Sequence, residues 1–139
     1  SSLASLPAML AACRKLGVGE TTADFVLPLA VAVFRATSPG MNLAVAIYVA
    51  KLTGVALTPQ AIAAGAAVAL LTTVGSVSLP GTISFIASTG PIALSMGVPL
   101  GPLALLVAVE MLPDMMRTLG NVTMDIAVTA SVDQAQQDN

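Results

Sequence analysis

Five polar residues near the end of the chain, Glu110, Asp114, Arg117, Asn121 and Asp125, recur at i, i+4, i+7, i+11 and i+15. On a helix turning 100° per residue they fall within roughly 80° of arc, so they form one ionisable stripe. Leu105, Leu106, Val109, Leu112, Met116, Leu119, Val122 and Ile126 occupy the other faces and read as the apolar surface of a buried rod. Asp114 and Arg117 stand three apart, close enough to neutralise each other in part. Left to themselves they make a buried ion pair that fixes register. Offered to a ligand, the planar fork of Arg117 takes a carboxylate and Asp114 accepts from an ammonium group. That combination recognises a zwitterion carrying an extra acid. Asn121 and Asp125, four apart, are hard oxygen donors, which with freed backbone carbonyls suit a dehydrated monovalent cation. The plainer alternative for Asp125 is a helix-end carboxylate reaching water.

The elements that must position this stripe are apolar but repeatedly cut short. Residues 25–50 read as two ten-residue half-spans, FVLPLAVAVF and MNLAVAIYVA, on either side of the polar hexapeptide RATSPG. About 20 apolar residues are needed for a helical crossing, so this is the pattern of one transmembrane helix broken at mid-depth. Residues 61–75 and 82–97 are each shorter than a crossing and flank Ser76-Val77-Ser78-Leu79-Pro80-Gly81, which predicts a re-entrant helical hairpin. Irregular backbone at membrane depth is tolerated where protein or water solvates its amides, so a broken helix and a hairpin tip together mark a binding site. Small residues such as Ala61, Ala63, Ala64 and Gly65 allow close helix packing. From Pro102 to Ala130 one long helix is expected, and after Ser131 a polar, disordered tail.

Composition agrees with a lipid or protein-buried setting. The 139 residues are 56% hydrophobic and 9% charged, against about 25% charged in an average soluble domain. A formal net charge of −2 offers no footprint for a phosphate backbone, which excludes nucleic acid as a partner. With no His and one Cys, Cys13, neither a Cys/His metal site nor a Ser-His-Asp triad can be assembled within the chain. Carboxylates without a recognisable nucleophile or phosphate loop argue against an enzyme. The chain opens Ser1-Ser2-Leu3 without an initiator Met and lacks interfacial Trp, so it reads as a piece of a larger protein whose earlier part carries more membrane segments.

The run from Asp114 through Arg117, Thr118 and Asn121 to Asp125 closely resembles the last transmembrane helix of the dicarboxylate/amino acid:cation symporter family, which includes the glutamate transporters. Ser1-Ser2-Leu-Ala-Ser-Leu-Pro7 is similar to the serine-rich tip of that family's first hairpin, and Thr73 to Gly81 to the tip of its second, so the resemblance covers almost the whole chain in order. It implies an all-α integral membrane fold, the C-terminal part of an elevator-type transport domain. Its parts would be a first hairpin tip (1–7), a helix and connection (8–24), the broken helix (25–56), the second re-entrant hairpin (58–99) and the last helix (100–130), with 131–139 as tail. It further implies a homotrimer in a bacterial inner membrane, multi-pass, bearing its own N-terminal scaffold. The activity implied is symport of an acidic amino acid or C4-dicarboxylate with sodium or protons, without a bound cofactor.

By the same resemblance Arg117 takes the distal carboxylate of the substrate, Asp114 its amino group, and Thr118 adds a hydroxyl. Ser2 from the first hairpin, Ser78, Leu79 and Gly81 from the second, and Ser38 and Arg35 at the break complete the substrate region. One sodium site would use Asp125, Asn121 and carbonyls near Ala30 and Phe34, and another the carbonyls of Ala32, Thr73, Val74 and Ser76. One departure stands out. Where the family typically has Asn-Met-Asp-Gly-Thr, this chain has Phe34-Arg35-Ala36-Thr37-Ser38, so the carboxylate expected at position 36 is gone and a guanidinium is added. That leaves the number of sodium ions, and the choice of sodium or protons, open. Arg35 either pairs with Asp114 or Glu110 or meets the substrate. A second reading of the whole is a non-transporting structural piece whose charges pair only with one another.

Overall fold

In a computed structural model the described residues, 1–75 and 82–138, are helical with short connections and contain no strand. The helices are α1 (Leu6–Lys15), α2 (Glu20–Val33), α3 (Ser38–Leu52), α4 (Pro59–Gly75), α5 (Thr82–Ser95), α6 (Gly101–Leu106) and α7 (Met111–Gln137), with a 3₁₀ turn at Val107–Val109. Three helix ends share one device. Gly17, Gly54 and Gly97 adopt positive φ of 78°, 71° and 71°, a conformation that costs glycine nothing. The valine after each returns its N–H five residues back, Val18 to Cys13, Val55 to Ala50 and Val98 to Ala93. This is the glycine-terminated Schellman stop, and its hydrophobic residue then packs inward.

The expected break of residues 25–50 falls between α2 and α3. Taken together, Glu20–Leu52 is long and apolar enough by composition to cross a membrane, the one such stretch among the described residues. It is not one straight rod. α2 ends at Phe34, with φ −101° and ψ 72°, and α3 restarts at Ser38 with Pro39 in its first turn, where the missing N–H is harmless. α4 and α5 pack against each other and against α3, around a core that includes Val49, Ala69, Phe85, Ile92 and Met96. Gly65 is part of that fit, since a Cβ there would lie 2.5 Å from Met96 Sδ. Ser76–Gly81, the expected hairpin tip, lies outside the described residues.

α1, α2 and α7 form the second core, around Met9, Cys13, Leu27 and Val31, with Val122 and Ile126 of α7 against it. Two expectations for the end of the chain need correction. The last helix is not one rod from Pro102, because the chain passes from α6 through a 3₁₀ turn before α7 begins at Met111. Pro113 explains this, having no N–H to donate back to Val109. Nor is the segment after Ser131 a disordered tail. α7 continues to Gln137, Asp133 is 7% exposed, Gln137 Nε2 donates to Asp133 Oδ2 at 2.8 Å and Thr22 Oγ1 to Gln136 Oε1 at 3.1 Å. Polar side chains that composition assigns to water find partners along α7 and on the start of α2.

Candidate functional site at the helix break

The buried face of α7 is its polar one. Arg117, Asn121, Asp125, Thr129 and Asp133, each four residues on, are the buried residues of this helix, while Leu112, Met115, Met116 and Leu119 are 60% or more exposed in the chain. The expected apolar jacket around the stripe is therefore reversed in part: within this chain the stripe faces the protein, Leu112, Met116 and Leu119 face out, and Val122 and Ile126 pack against the second core. A buried polar side chain needs partners, and for Asn121 the surface that supplies them is the break.

Asn121 bolts α7 to it. Its Oδ1 accepts from Thr37 N at 2.9 Å and Thr37 Oγ1 at 2.8 Å, and its Nδ2 donates to Ser38 Oγ at 3.0 Å. Thr37 Oγ1 also lies 2.9 Å from the Arg117 carbonyl oxygen. A backbone N–H left free by the start of α3 thus finds its acceptor on α7, as buried amides must. Gly120 lets the elements come this near, since a Cβ there would meet Thr37 Cγ2 at 2.6 Å.

One turn earlier, Arg117 is 6% exposed and held by three acceptors. Nη2 donates to Glu110 Oε1 at 2.5 Å and Asp114 Oδ1 at 2.8 Å, and Nη1 to Asn42 Oδ1 at 2.6 Å. The expected Asp114–Arg117 pair is present, and two partners join it that the spacing argument did not assign. Glu110 lay on the stripe without a role. Asn42 is a lone amide in an otherwise apolar half-span, and that anomaly was the available signal. Asp114 and Thr118 line a cavity of about 380 Å³ together with Ser1 and Ser5 of the N-terminal turn, so the start of the chain does approach this face of α7. Ser2 is buried in the same turn.

Two turns beyond Arg117, Asp125 is 1% exposed and neither carboxylate oxygen has a hydrogen-bond partner among the described residues. Half-buried Arg35 at the break lies within electrostatic reach of Asp125, Asp114 and Arg117. A buried carboxylate without a donor fits a site completed by a cation. The side chain of Asn121 fits that duty less well, because both lone pairs of its oxygen are engaged. Among the carbonyls expected to join in, that of Ala30 accepts from Phe34 N at 2.6 Å and retains a second lone pair. Ala30 is buried, and Ala32 and Phe34 lie on or beyond the last turn of α2 with exposed side chains. Thr73, buried, donates its hydroxyl to the Ala69 carbonyl at 2.7 Å, while Val74 is exposed. Ser76, Ser78, Leu79 and Gly81 lie outside the described residues.

The described residues are thus helical, with a buried Arg–carboxylate cluster and a buried carboxylate beside a break in an apolar helix. The chain belongs to the sodium:dicarboxylate symporter family, whose model matches residues 1–135. It is similar to excitatory amino acid transporter 2 of Homo sapiens, 31% identical over 128 residues that make up 90% of this chain and 22% of the relative. The proteins of the same name from Mus musculus and Rattus norvegicus are each 30% identical over the same extent. The chain thus spans about a fifth of the length of the curated relatives it matches.

Proposed function

We propose that the protein carrying this chain is a secondary symporter that moves an acidic amino acid or C4-dicarboxylate across a membrane, driven by sodium. The observation that supports this reading is one helix face holding a guanidinium and a carboxylate, both buried. Arg117 and Asp125 are eight residues apart, about 12 Å along the axis, on the buried face of α7. An anionic solute at the first and a cation at the second attract each other across a region shielded from water, which couples their binding.

In this reading the substrate sits in the cavity against Asp114 and Thr118, with its distal carboxylate on Arg117 and its ammonium group on Asp114. Ser2, Ser38 and the second hairpin at Ser78, Leu79 and Gly81 close around it. Asp125 holds sodium with carbonyls of Ala30 and Phe34, and Asn121 serves to fix the break. A second cation would use the Ala32, Thr73, Val74 and Ser76 carbonyls. Asp114 favours an amino acid over a plain dicarboxylate, which has no ammonium to satisfy it. Arg35, near Asp125, supplies a fixed positive charge in place of one co-transported cation. A multi-pass cell-membrane protein, trimeric and moving its transport domain as an elevator against an N-terminal scaffold, is the assembly this reading implies.

Competition by unlabelled aspartate, glutamate, succinate and fumarate against a labelled acidic amino acid, with and without sodium, tests it. Aspartate or glutamate competes best and only sodium sustains uptake. Equal competition by succinate would remove Asp114 from amine recognition, and absence of uptake by the full-length protein would favour a structural role with internally paired charges.

A further inference from the structure

Glu110 has no part in the reading above, yet it is buried, 7% exposed, and its Oε1 accepts from the same Nη2 of Arg117 as Asp114 Oδ1 does. It stands where the last helix is jointed, between the 3₁₀ turn and α7. Its N–H reaches the Val107 carbonyl over 3.4 Å, and Pro113 leaves the turn without its next helical bond. Beside it, a cavity of about 340 Å³ lined by Met41, Val45, Tyr48 and Phe85 gives the side chain room to leave the guanidinium. Arg117 itself is pinned from the other side by Asn42 Oδ1 at 2.6 Å, so it stays in place when Glu110 moves.

We propose that Glu110 is a built-in competitor of the substrate: its carboxylate occupies the Nη2 group of Arg117 that an incoming substrate carboxylate must take. The inference rests on the proposed role of Arg117 and adds a second carboxylate to that role. Apparent affinity is then the intrinsic affinity scaled by the fraction of time that Glu110 is away. A solute without a distal carboxylate cannot displace Glu110 from the guanidinium, so the competitor sharpens selection for acidic solutes. It also refills the guanidinium once the substrate has left, which opposes rebinding.

The sign of one substitution separates competition from mere support. Equilibrium binding of L-aspartate and L-glutamate to the purified full-length protein in saturating sodium is measured for wild type, Glu110→Gln and Glu110→Asp. Glutamine keeps an acceptor for Nη2 but loses the charge, so competition predicts binding tighter by on the order of tenfold, through faster association. Glu110→Asp, retaining the charge one methylene further back, falls between and carries the same sign test if Glu110→Gln does not fold. A residue that only holds Arg117 in position gives the opposite sign. Unchanged or weakened binding in the variants, with wild-type binding intact, would overturn this inference and leave the role of Arg117 standing. Failure of the wild type to bind either amino acid would overturn both.

Discussion

Arg117 illustrates why a buried charge is judged by its whole set of partners. Its two terminal nitrogens serve Glu110, Asp114 and Asn42 at once, and deleting the side chain leaves two carboxylates without their cation. Breaking a buried pair in this way costs about 3–5 kcal/mol of stability. Arg117→Ala is therefore expected to lower the melting temperature as well as abolish acidic-substrate uptake, and adding Glu110→Gln should restore part of the stability and none of the uptake. Thermal unfolding and uptake assays on the pair separate the two effects. Asp125→Asn is expected to weaken sodium dependence more than substrate recognition, because the amide keeps an oxygen ligand but loses the charge that offsets a dehydrated ion. An unchanged sodium curve would place the cation elsewhere. At this scale the i+3 and i+4 spacings made Asp114–Arg117 legible in the sequence. Asn42 was not, because its partner lies 75 residues away and no local period announces it.

The break between α2 and α3 works as an element because α7 completes it. Thr37 and Ser38 end one helix and start the next, and Asn121 satisfies the groups that this leaves over. Gly120→Ala should separate the two, since its Cβ would lie 2.6 Å from Thr37 Cγ2, at a cost of about 1–3 kcal/mol. Thr37→Ser removes that methyl and keeps the hydroxyl, so the double variant should recover much of the loss, a coupling that a thermodynamic cycle measures. Additive losses would mean that the contact does not govern the packing. The break itself was readable from RATSPG between two apolar decapeptides. The joint at Val107–Glu110 was missed because the polar period continues through it while Pro113 interrupts the backbone. The helical 131–137 segment was missed because its polar residues bond one another along α7 and, at Gln136, Thr22 of α2, contacts that composition cannot express.

Across the whole molecule the usual arrangement is reversed along α7, with the ionisable stripe inside and Met111, Leu112 and Met116 exposed at 76%, 68% and 62%. An apolar exterior of this kind is what lipid or the rest of a membrane protein covers. Charge balance belongs to this scale too: around the break two guanidinium groups, Arg35 and Arg117, stand among the carboxylates of Glu110, Asp114 and Asp125. Restoring the family's pattern with Arg35→Met and Ala36→Asp makes that region more negative by two charges, so the double variant should carry more sodium per substrate. Reversal potentials in proteoliposomes give that ratio, and an unchanged ratio would make Arg35 an internal ion-pair partner. The central claim is that one buried stripe couples an acidic solute to sodium, and the affinity of the purified full-length protein for L-aspartate as a function of sodium concentration tests it most directly. The account predicts that affinity climbs steeply as sodium is added and collapses without it. Equal affinity at zero and saturating sodium would contradict it.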